Sequence, residues 1–315
     1  MEAITKTIKP TRLNKNSLIA LIAPAGPVEQ EQIENAQNSL HQMGFRSCYN
    51  ECILSRKGYL AGDDDTRLKD LHQAFENNNI DAILCIRGGY GSSRIVEKIN
   101  YDLIRQNLKI FIGYSDITVL LNAIHQQTGL ITFHGVVGVS AFTEYTKTLF
   151  SRILTLQENE FLIYPESEKS VETITHGKAT GKLAGGNLCL VTTMLGTKFQ
   201  IDFNNKIVFL EDIGEAPYRI DRMLTQLLLS GCLQNASGII LGDFKDCDIN
   251  NNDITNKNSL SLDEVFKDRL GHLKIPIIKG FSFGHVKNQV IFPIGIEAEI
   301  DTSKSGIKLL ESPVL

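Results

Sequence analysis

Short apolar runs alternate with amphipathic segments along the first half of the chain. The runs at residues 18–23, 82–86 and 110–112 are almost entirely apolar, which is typical of strands buried on both faces. Apolar residues recur at helical spacing in three segments, at residues 30–43, 66–75 and 116–125. Strands that alternate with helices form a parallel sheet with right-handed crossovers. The first half therefore predicts a doubly wound α/β domain with a parallel sheet.

The second half of the chain has a different pattern. Residues 158–178 are polar, as expected of a link between domains. Beyond this link the pattern predicts strands at residues 207–210 and 239–241, a helix at 218–229, an Asn- and Asp-rich loop at 246–261, and a closing pair of strands at 290–300 and 306–310. Glycine and β-branched residues are frequent, so we expect a β-rich α/β domain. The predicted domains are an N-terminal domain over residues 1–160 and a C-terminal domain over residues 161–315.

The charge of the chain argues against some classes of partner. The 315 residues have a formal net charge of -4, from 32 Lys and Arg against 36 Asp and Glu. A protein that binds nucleic acid by neutralising phosphates is usually basic, so we expect no nucleic-acid partner. The apolar run at residues 18–23 is shorter than the about 7–15 residues of a signal peptide and the roughly 20 of a membrane span. We therefore expect a cytoplasmic protein without a membrane partner.

The cysteines and histidines form no metal or disulfide pattern. The six cysteines are scattered and include no CxxC pair, and the seven histidines form no HExxH or HxH pair. We therefore expect no disulfide framework, no metal and no other cofactor.

A serine lies between a predicted strand and a predicted helix, in the segment GYSDI at residues 113–117. Such a turn places the hydroxyl of Ser115 at the carboxyl edge of the sheet, where open α/β folds bind ligands. Backbone amides at the start of the helix can stabilise a developing oxyanion. Position 117 is Ile, so the segment is not a GxSxG elbow. The alternative is that Ser115 only caps the helix, and its position alone favours capping.

Two further motifs follow predicted strands. In RGGYG, at residues 87–91, three glycines allow the backbone to approach a ligand closely. That turn can hold an anion, supply an amide to an oxyanion, or only connect a strand to a helix. Glu211 and Asp212 end another predicted strand, where carboxylates can orient a histidine or bind a cation. A solvated acidic loop is the alternative for this second motif.

One histidine follows apolar residues and a glycine, in FSFGH at residues 281–285. A lone histidine in such a place is more often a hydrogen-bonded structural residue than a catalyst. Taken together, however, Ser115, Glu211 and His285 supply the three side chains of a serine–histidine–acid triad, each at the edge of a predicted strand. The chain order of such triads varies between folds.

These motifs resemble those of the LD-carboxypeptidases, serine peptidases of the muramoyl-tetrapeptide carboxypeptidase type. The resemblance covers nearly the whole chain, and eight segments share its order: IALIAPAGP (19–27), AGDDDTRLKDL (61–71), IRGGYGSSR (86–94), IGYSDIT (112–118), TFHG (132–135), GGNL (185–188), LEDIGEAPYRIDRML (210–224) and FGH (283–285). It implies that the N-terminal domain carries the nucleophile and the C-terminal domain carries the acid and the base.

The resemblance also implies roles for individual residues. Ser115 corresponds to the nucleophile, His285 to the general base and Glu211 to its carboxylate partner. The backbone amides of Gly89 and Asp116 correspond to the oxyanion hole. Members of the family release terminal D-alanine from a diaminopimelate L-centre in cytoplasmic peptidoglycan recycling. A related branch cleaves microcin-type peptide–nucleotide antibiotics and gives self-immunity.

An exopeptidase must also recognise a free carboxylate, which a guanidinium binds with two hydrogen bonds. The candidate arginines are Arg87, Arg94, Arg219 and Arg222. For the last two, an ion pair with Asp221 or Glu215 on a helix surface is the alternative that we prefer. The residues that we expect to contact the substrate are Gly88, Arg87, Asn187 and Arg219.

The expected function is that of a cytoplasmic serine carboxypeptidase that acts on a peptide or muropeptide and forms a homodimer. One alternative is a microcin-immunity peptidase. An alternative of another class is a non-catalytic ligand-binding protein that uses the RGGYG turn to bind an anion.

Overall fold

The computed structural model describes residues 6–166, 171–248, 259–304 and 306–315. They form two compact units: the first contains Met1–Asn159, Lys287–Ile296 and Ser312–Leu315, and the second contains Glu160–Val286 and Glu297–Glu311. This division differs from a single boundary at residue 160, because two late segments belong to the first unit.

Strands and helices alternate along much of the chain. The strands are β1 (Leu18–Ile22), β2 (Arg46–Tyr49), β3 (Ala82–Cys85), β4 (Ile110–Gly113), β5 (Thr132–His134), β6 (Phe161–Ile163), β7 (Glu172–Thr175), β8 (Lys178–Asn187), β9 (Lys206–Ile213), β10 (Gly238–Lys245), β11 (Ile277–Lys279), β12 (Phe292–Ile294), β13 (Glu297–Asp301) and β14 (Ile307–Leu309). The helices are α1 (Gln30–Gln42), α2 (Asp64–Glu76), α3 (Ser92–Ile95), α4 (Tyr101–Gln106), α5 (Thr118–Thr128), α6 (Glu144–Thr155), α7 (Leu188–Thr193), α8 (Pro217–Leu229) and α9 (Leu262–Leu270). Single turns of 3-10 helix occupy Glu51–Leu54, Val96–Lys98 and Ser115–Ile117.

The sheet of the first unit has the order β12-β5-β4-β3-β1-β2. Strands β1 to β5 pair in parallel, and β12 adds to β5 in the antiparallel direction. Every residue of β3 and β4 is buried, as their continuous apolar runs predict. The order β2-β1-β3-β4-β5 is that of a doubly wound sheet, whose ligands bind at the carboxyl ends of the strands. The predicted fold class is therefore confirmed for this unit.

Two helices beside this sheet have residues at their ends that favour the start or the end of a helix. The side chain of Asp63 accepts a hydrogen bond from the amide of Thr66 at 2.8 Å and so caps α2. Helix α5 ends at Gly129, whose φ of +79° suits glycine and closes the last turn. The loops after β1, β3 and β4 lie at the same edge of the sheet because these neighbouring strands are parallel.

The second unit contains a mixed sheet with the order β6-β14-β13-β8-β9-β10-β11-β7. Strands β8 to β11 pair in parallel, while β6, β7, β13 and β14 pair in the antiparallel direction. Apolar residues of α7, α8 and α9 share one core with those of β9 and β10. The prediction of a β-rich α/β domain is therefore confirmed.

Two local predictions are wrong. The polar segment 158–178 is not only a link, because it contributes β6 and β7 to the second sheet. Both are edge strands with exposed or partly exposed side chains. Strand β7 mixes polar and apolar residues, and the apolar run of β6 is only three residues long, so neither stands out in this polar segment. Residues 290–300 form two strands in different sheets, β12 and β13, because the chain turns at Gly295 with φ +93°.

Two points concern the rest of the chain. Of the predicted loop at 246–261, residues 249–258 lie outside the described residues. Among the helices that the structure describes, none has both the length and the apolar character needed to cross a bilayer.

Candidate active site

Ser115 has a strained backbone at the carboxyl end of β4. Its φ is +63°, in the left-handed region that residues other than glycine rarely adopt. Strain of this kind is concentrated at functional sites. The N-cap positions of the 3-10 turn and of α5 are Tyr114 and Ile117, and neither makes a side-chain cap bond. Ser115 is the first residue of the 3-10 turn and occupies neither N-cap position.

The turn at Ser115 is tight even though GxSxG is absent. A Cβ atom added to Gly113 would lie 2.7 Å from Cγ2 of Ile117, so Ile117 folds back over Gly113. Only glycine at position 113 leaves room for that contact. The strand-to-helix turn therefore presents the serine as a GxSxG elbow does. Here a single glycine, two residues before the serine, provides the space that the GxSxG elbow obtains from one glycine before and one after the serine.

The RGGYG turn after β3 packs directly against Ser115. A Cβ atom on Gly88 would lie 2.8 Å from Cβ of Ser115 and 3.0 Å from its Oγ, so no larger residue fits without a shift. The amide of Gly26 donates to the carbonyl of Gly88 at 2.9 Å, and Gly89 has a φ of +110°. The structure thus brings Gly88 to the hydroxyl of Ser115 and to the amide of Asp116, while Gly89 packs against Gly26.

In the second unit, His285 pairs with the buried carboxylate of Glu211. Nδ1 of His285 lies 2.9 Å from Oε2 of Glu211, and the carboxylate side chain is fully buried at the end of β9. A Cβ atom on Gly284, whose φ is +101°, would lie only 2.5 Å from that same oxygen. Glycine before the histidine therefore lets the carboxylate reach the ring. In the tautomer whose Nδ1 donates to Glu211, Nε2 is the ring nitrogen that can accept a proton.

Asn187 and Asp212 hold the strand ends beside this pair. Asn187 lies opposite Glu211 in the β8–β9 register, and its Nδ2 donates to Oδ1 of Asp212 at 3.0 Å. Its Oδ1 accepts from the amide of Leu190 and caps α7, while Oδ2 of Asp212 accepts from the amide of Cys189 at 2.9 Å. Both side chains therefore have structural partners next to the histidine–carboxylate pair.

The buried position of Asp212 predicts a pH dependence of stability. Burial raises the pKa of Asp212 from its usual 3.8 to about 6, and the nearby charge of Glu211 adds to the rise. The folded protein therefore binds this proton more tightly than the unfolded chain does. The contribution of Asp212 to stability is full below about pH 4 and falls, by up to about 3 kcal/mol, as the pH rises to about 6.

Urea unfolding of the wild type and of Asp212→Asn between pH 4 and pH 7 measures this contribution. The free energy of unfolding of the wild type minus that of the variant should fall with rising pH, because the variant cannot titrate at position 212. A difference that stays constant or rises over this range would contradict the assignment.

The arginines differ in their partners. Arg94 binds both carboxylate oxygens of Asp64, at 2.9 and 3.1 Å. Arg219 forms an ion pair with Glu215 at 3.2 Å, the helix-surface arrangement that the sequence left open. The guanidinium of Arg222 lies over the ring of Tyr218. Arg87 is exposed and donates to the carbonyl of Pro27 at 3.2 Å, and among the described residues it has no carboxylate partner.

Sequence reasoning missed the buried Arg67 on α2. Its side chain has no exposed surface, and it contacts the loops after β1 and β3. A signal was present, because Arg67, Asp70, Leu71 and Ala74 lie at helical spacing on one buried face. An arginine on the apolar face of a helix indicates a buried polar contact.

Two domain descriptions of one family match the chain. The LD-carboxypeptidase N-terminal domain matches residues 19–135, and the LD-carboxypeptidase C-terminal domain matches residues 180–300.

Known proteins are similar over almost the whole chain. A probable murein peptide carboxypeptidase of Bacillus subtilis (strain 168) is 41% identical over 301 residues, which are 94% of this chain and 92% of that protein. The structure of muramoyltetrapeptide carboxypeptidase from Oxalobacter formigenes has a TM-score of 0.82 at 28% identity and covers 93% of this chain and 98% of that one. A microcin C7 self-immunity protein of Escherichia coli is 28% identical over 320 residues, 92% of this chain and 91% of that protein. As the resemblance of the motifs implied, the chain belongs to the LD-carboxypeptidase family.

Proposed function

We propose that the protein is a serine carboxypeptidase that releases the terminal D-alanine of muramoyl-tetrapeptide. The observation that carries the reaction type is the strained turn of Ser115, with the backbone of Gly88 packed on its hydroxyl. The substrate rests on family membership and on similarity to murein peptide and muramoyltetrapeptide carboxypeptidases.

In the proposed mechanism, Oγ of Ser115 attacks the carbonyl carbon of the bond before D-alanine. The proton of the hydroxyl passes to Nε2 of His285, and Glu211 holds the ring and stabilises the imidazolium. The amides of Gly89 and Asp116 donate to the oxyanion of the tetrahedral intermediate. His285 then protonates the leaving amine of D-alanine, and an acyl-enzyme remains. Water, deprotonated by the same histidine, releases the tripeptide and restores the serine.

The geometry supports the roles of Glu211 and His285 in this mechanism. A carboxylate with no exposed surface, 2.9 Å from Nδ1, holds the ring in one orientation and favours its protonated form during the reaction. The positive φ of Gly284 and its close approach to Glu211 leave little freedom in the pair. A histidine held in this way accepts a proton without first reorienting.

For the carboxylate of D-alanine, we propose Arg87 as the binding residue, because its neighbour Gly88 packs against Ser115. Of the other candidates, Arg94 and Arg219 already pair with acidic side chains, and Arg222 lies over the ring of Tyr218. A charged hydrogen bond contributes about 1.5–3 kcal/mol, so Arg87→Gln should raise KM on the order of 10- to 100-fold with little change in kcat. The matched control is Arg46→Gln, because Arg46 is also exposed and donates to a backbone carbonyl, but at the amino end of β2.

A substrate with a C-terminal amide completes this prediction. The wild type should prefer the acid to the amide, and Arg87→Gln should lose most of that preference. Undiminished preference in Arg87→Gln would exclude Arg87 as the carboxylate-binding residue.

The function is tested by incubating the purified protein with muramoyl-tetrapeptide and detecting the loss of one alanine by mass spectrometry. The same peptide ending in L-alanine is the matched control, and its turnover should be much slower. A peptide–nucleotide conjugate tests the second candidate function, which the similarity to the microcin C7 self-immunity protein favours. Cleavage of the conjugate without release of D-alanine from the tetrapeptide would contradict our proposal and support that alternative. The cytoplasmic location, the homodimer and the role in peptidoglycan recycling stay predictions.

A further inference from the structure

Two arginines of the first unit share one carboxylate but differ in burial. Asp64, in the first turn of α2, accepts from Nη2 of Arg67 at 2.5 Å and from Arg94 at 2.9 and 3.1 Å. The side chain of Arg67 has no exposed surface, whereas that of Arg94 is 44% exposed. A buried guanidinium requires both a counter-charge and acceptors for its remaining donors. The acceptors that Arg67 uses are therefore informative.

Arg67 binds the backbone of two loops at the carboxyl edge of the sheet. Its Nη1 donates to the carbonyl of Pro24, after β1, at 2.6 Å and to the carbonyl of Gly91, after β3, at 2.9 Å. A Cβ atom on Gly91 would lie 2.6 Å from that same nitrogen, and the φ of Gly91 is +140°. Glycine at position 91 therefore leaves room for the guanidinium of Arg67 to contact the RGGYG turn.

The other side of this turn is bound by the residue that follows the candidate nucleophile. The carboxyl group of Asp116 is buried, and its Oδ2 accepts from the amide of Ser92 at 2.8 Å. Burial raises the pKa of Asp116, while the hydrogen bonds from Ser92 and the charge of Arg67 oppose that rise. The peptide between Gly91 and Ser92 thus has its carbonyl bound by the guanidinium of Arg67 and its amide bound by the carboxyl group of Asp116.

We propose that Arg67 and the carboxyl group of Asp116 are positioning residues for the reaction. They bind the carbonyl of Gly91 and the amide of Ser92 and so hold the RGGYG turn, whose Gly88 packs against Ser115, in a position where a small displacement changes the direction of the Gly89 amide. The inference rests on the proposed function, because it holds that Arg67 and Asp116 serve to position the amides that donate to the oxyanion. A displacement of about 1 Å in such a site can reduce the rate on the order of 100-fold.

The test compares Arg67→Lys with Arg94→Lys. Both variants keep a positive charge beside Asp64, but lysine cannot donate to Asp64, Pro24 and Gly91 in the geometry of the guanidinium fork. We expect Arg67→Lys to lower kcat about 10- to 100-fold, with KM within about twofold of the wild type. The value of kcat is taken per active site, and the number of active sites is measured from the end point of labelling with a serine-directed probe. A boronic-acid analogue, whose tetrahedral adduct places an anionic oxygen in the oxyanion hole, should lose affinity in parallel. Arg94→Lys should match the wild type in all three measurements.

The second variant is Asp116→Asn, which removes the charge at the other side of the turn and leaves Arg67 in place. It should also lower kcat and analogue affinity, and it decides the question if Arg67→Lys does not fold. Wild-type kcat per labelled site in a folded Arg67→Lys or in Asp116→Asn, or an equal loss in Arg94→Lys, would overturn the inference. Failure of the proposed function would give a different result, namely turnover of the substrate by Ser115→Ala.

Discussion

Ser115→Ala is expected to abolish release of D-alanine from muramoyl-tetrapeptide, with a loss of kcat of about 10⁴-fold or more. Without the hydroxyl no acyl-enzyme can form, and water has no activated path to the carbonyl. The fold should be retained, because alanine and serine face similar strain at a φ of +63°. Circular dichroism and the melting temperature should therefore match the wild type within a few degrees.

A fluorophosphonate probe checks the same prediction without the natural substrate. It should label the wild type and not Ser115→Ala. Ser39→Ala is the control, because the Ser39 hydroxyl donates to its own helix at the carbonyl of Asn35. Turnover or labelling of Ser115→Ala at the wild-type level would exclude Ser115 as the nucleophile. Absence of both turnover and labelling in the wild type would favour a non-catalytic protein that binds its ligand through the RGGYG turn.

Glu211→Gln is expected to lower kcat about 10³- to 10⁴-fold while keeping the shape of the site. The amide oxygen can still accept from Nδ1 of His285, but it carries no charge to stabilise the imidazolium that forms during the reaction. It can also rotate to present its NH₂ group, which favours the wrong tautomer of the ring. Because the side chain has no exposed surface, solvent cannot replace the lost charge.

Asp212→Asn is the matched control for Glu211→Gln, since Asp212 is the next residue of β9 and is also buried. Asp212 binds Asn187 and two backbone amides instead of the histidine, so the control should lose at most about 10-fold in kcat. Activity of Glu211→Gln within about threefold of the wild type would contradict its role as the partner of His285.

The strands of the first sheet were predictable because burial on both faces leaves a signal in the local sequence. Each of β3 and β4 is a continuous apolar run, and the helices beside them repeat apolar residues at helical spacing. The edge strands β6 and β7 give a weaker signal, since the apolar run of β6 is only three residues long and β7 mixes polar with apolar residues that are partly exposed. The path of residues 290–300 through two sheets was hidden for another reason. Their apolar pattern is the same whether the strand continues or turns at Gly295.

Residue types and their places at strand ends were readable in the chain alone: a serine before a helix, a glycine turn, a pair of acids and a histidine after a glycine. Such positions follow from local periodicity and from the few residues that a turn accepts. Pairings over long separations leave no local signal: the family resemblance implied that Glu211 is the partner of His285, and the tertiary structure shows their contact. Glu211 and His285 are 74 residues apart in the sequence, and Arg67 donates a hydrogen bond to the carbonyl of Gly91, which lies 24 residues later. A hydrogen bond between such partners depends on how strands and helices pack, which no short window of sequence records. The left-handed backbone of Ser115 also depends on the tertiary structure, because only the surrounding contacts maintain a conformation that serine itself disfavours.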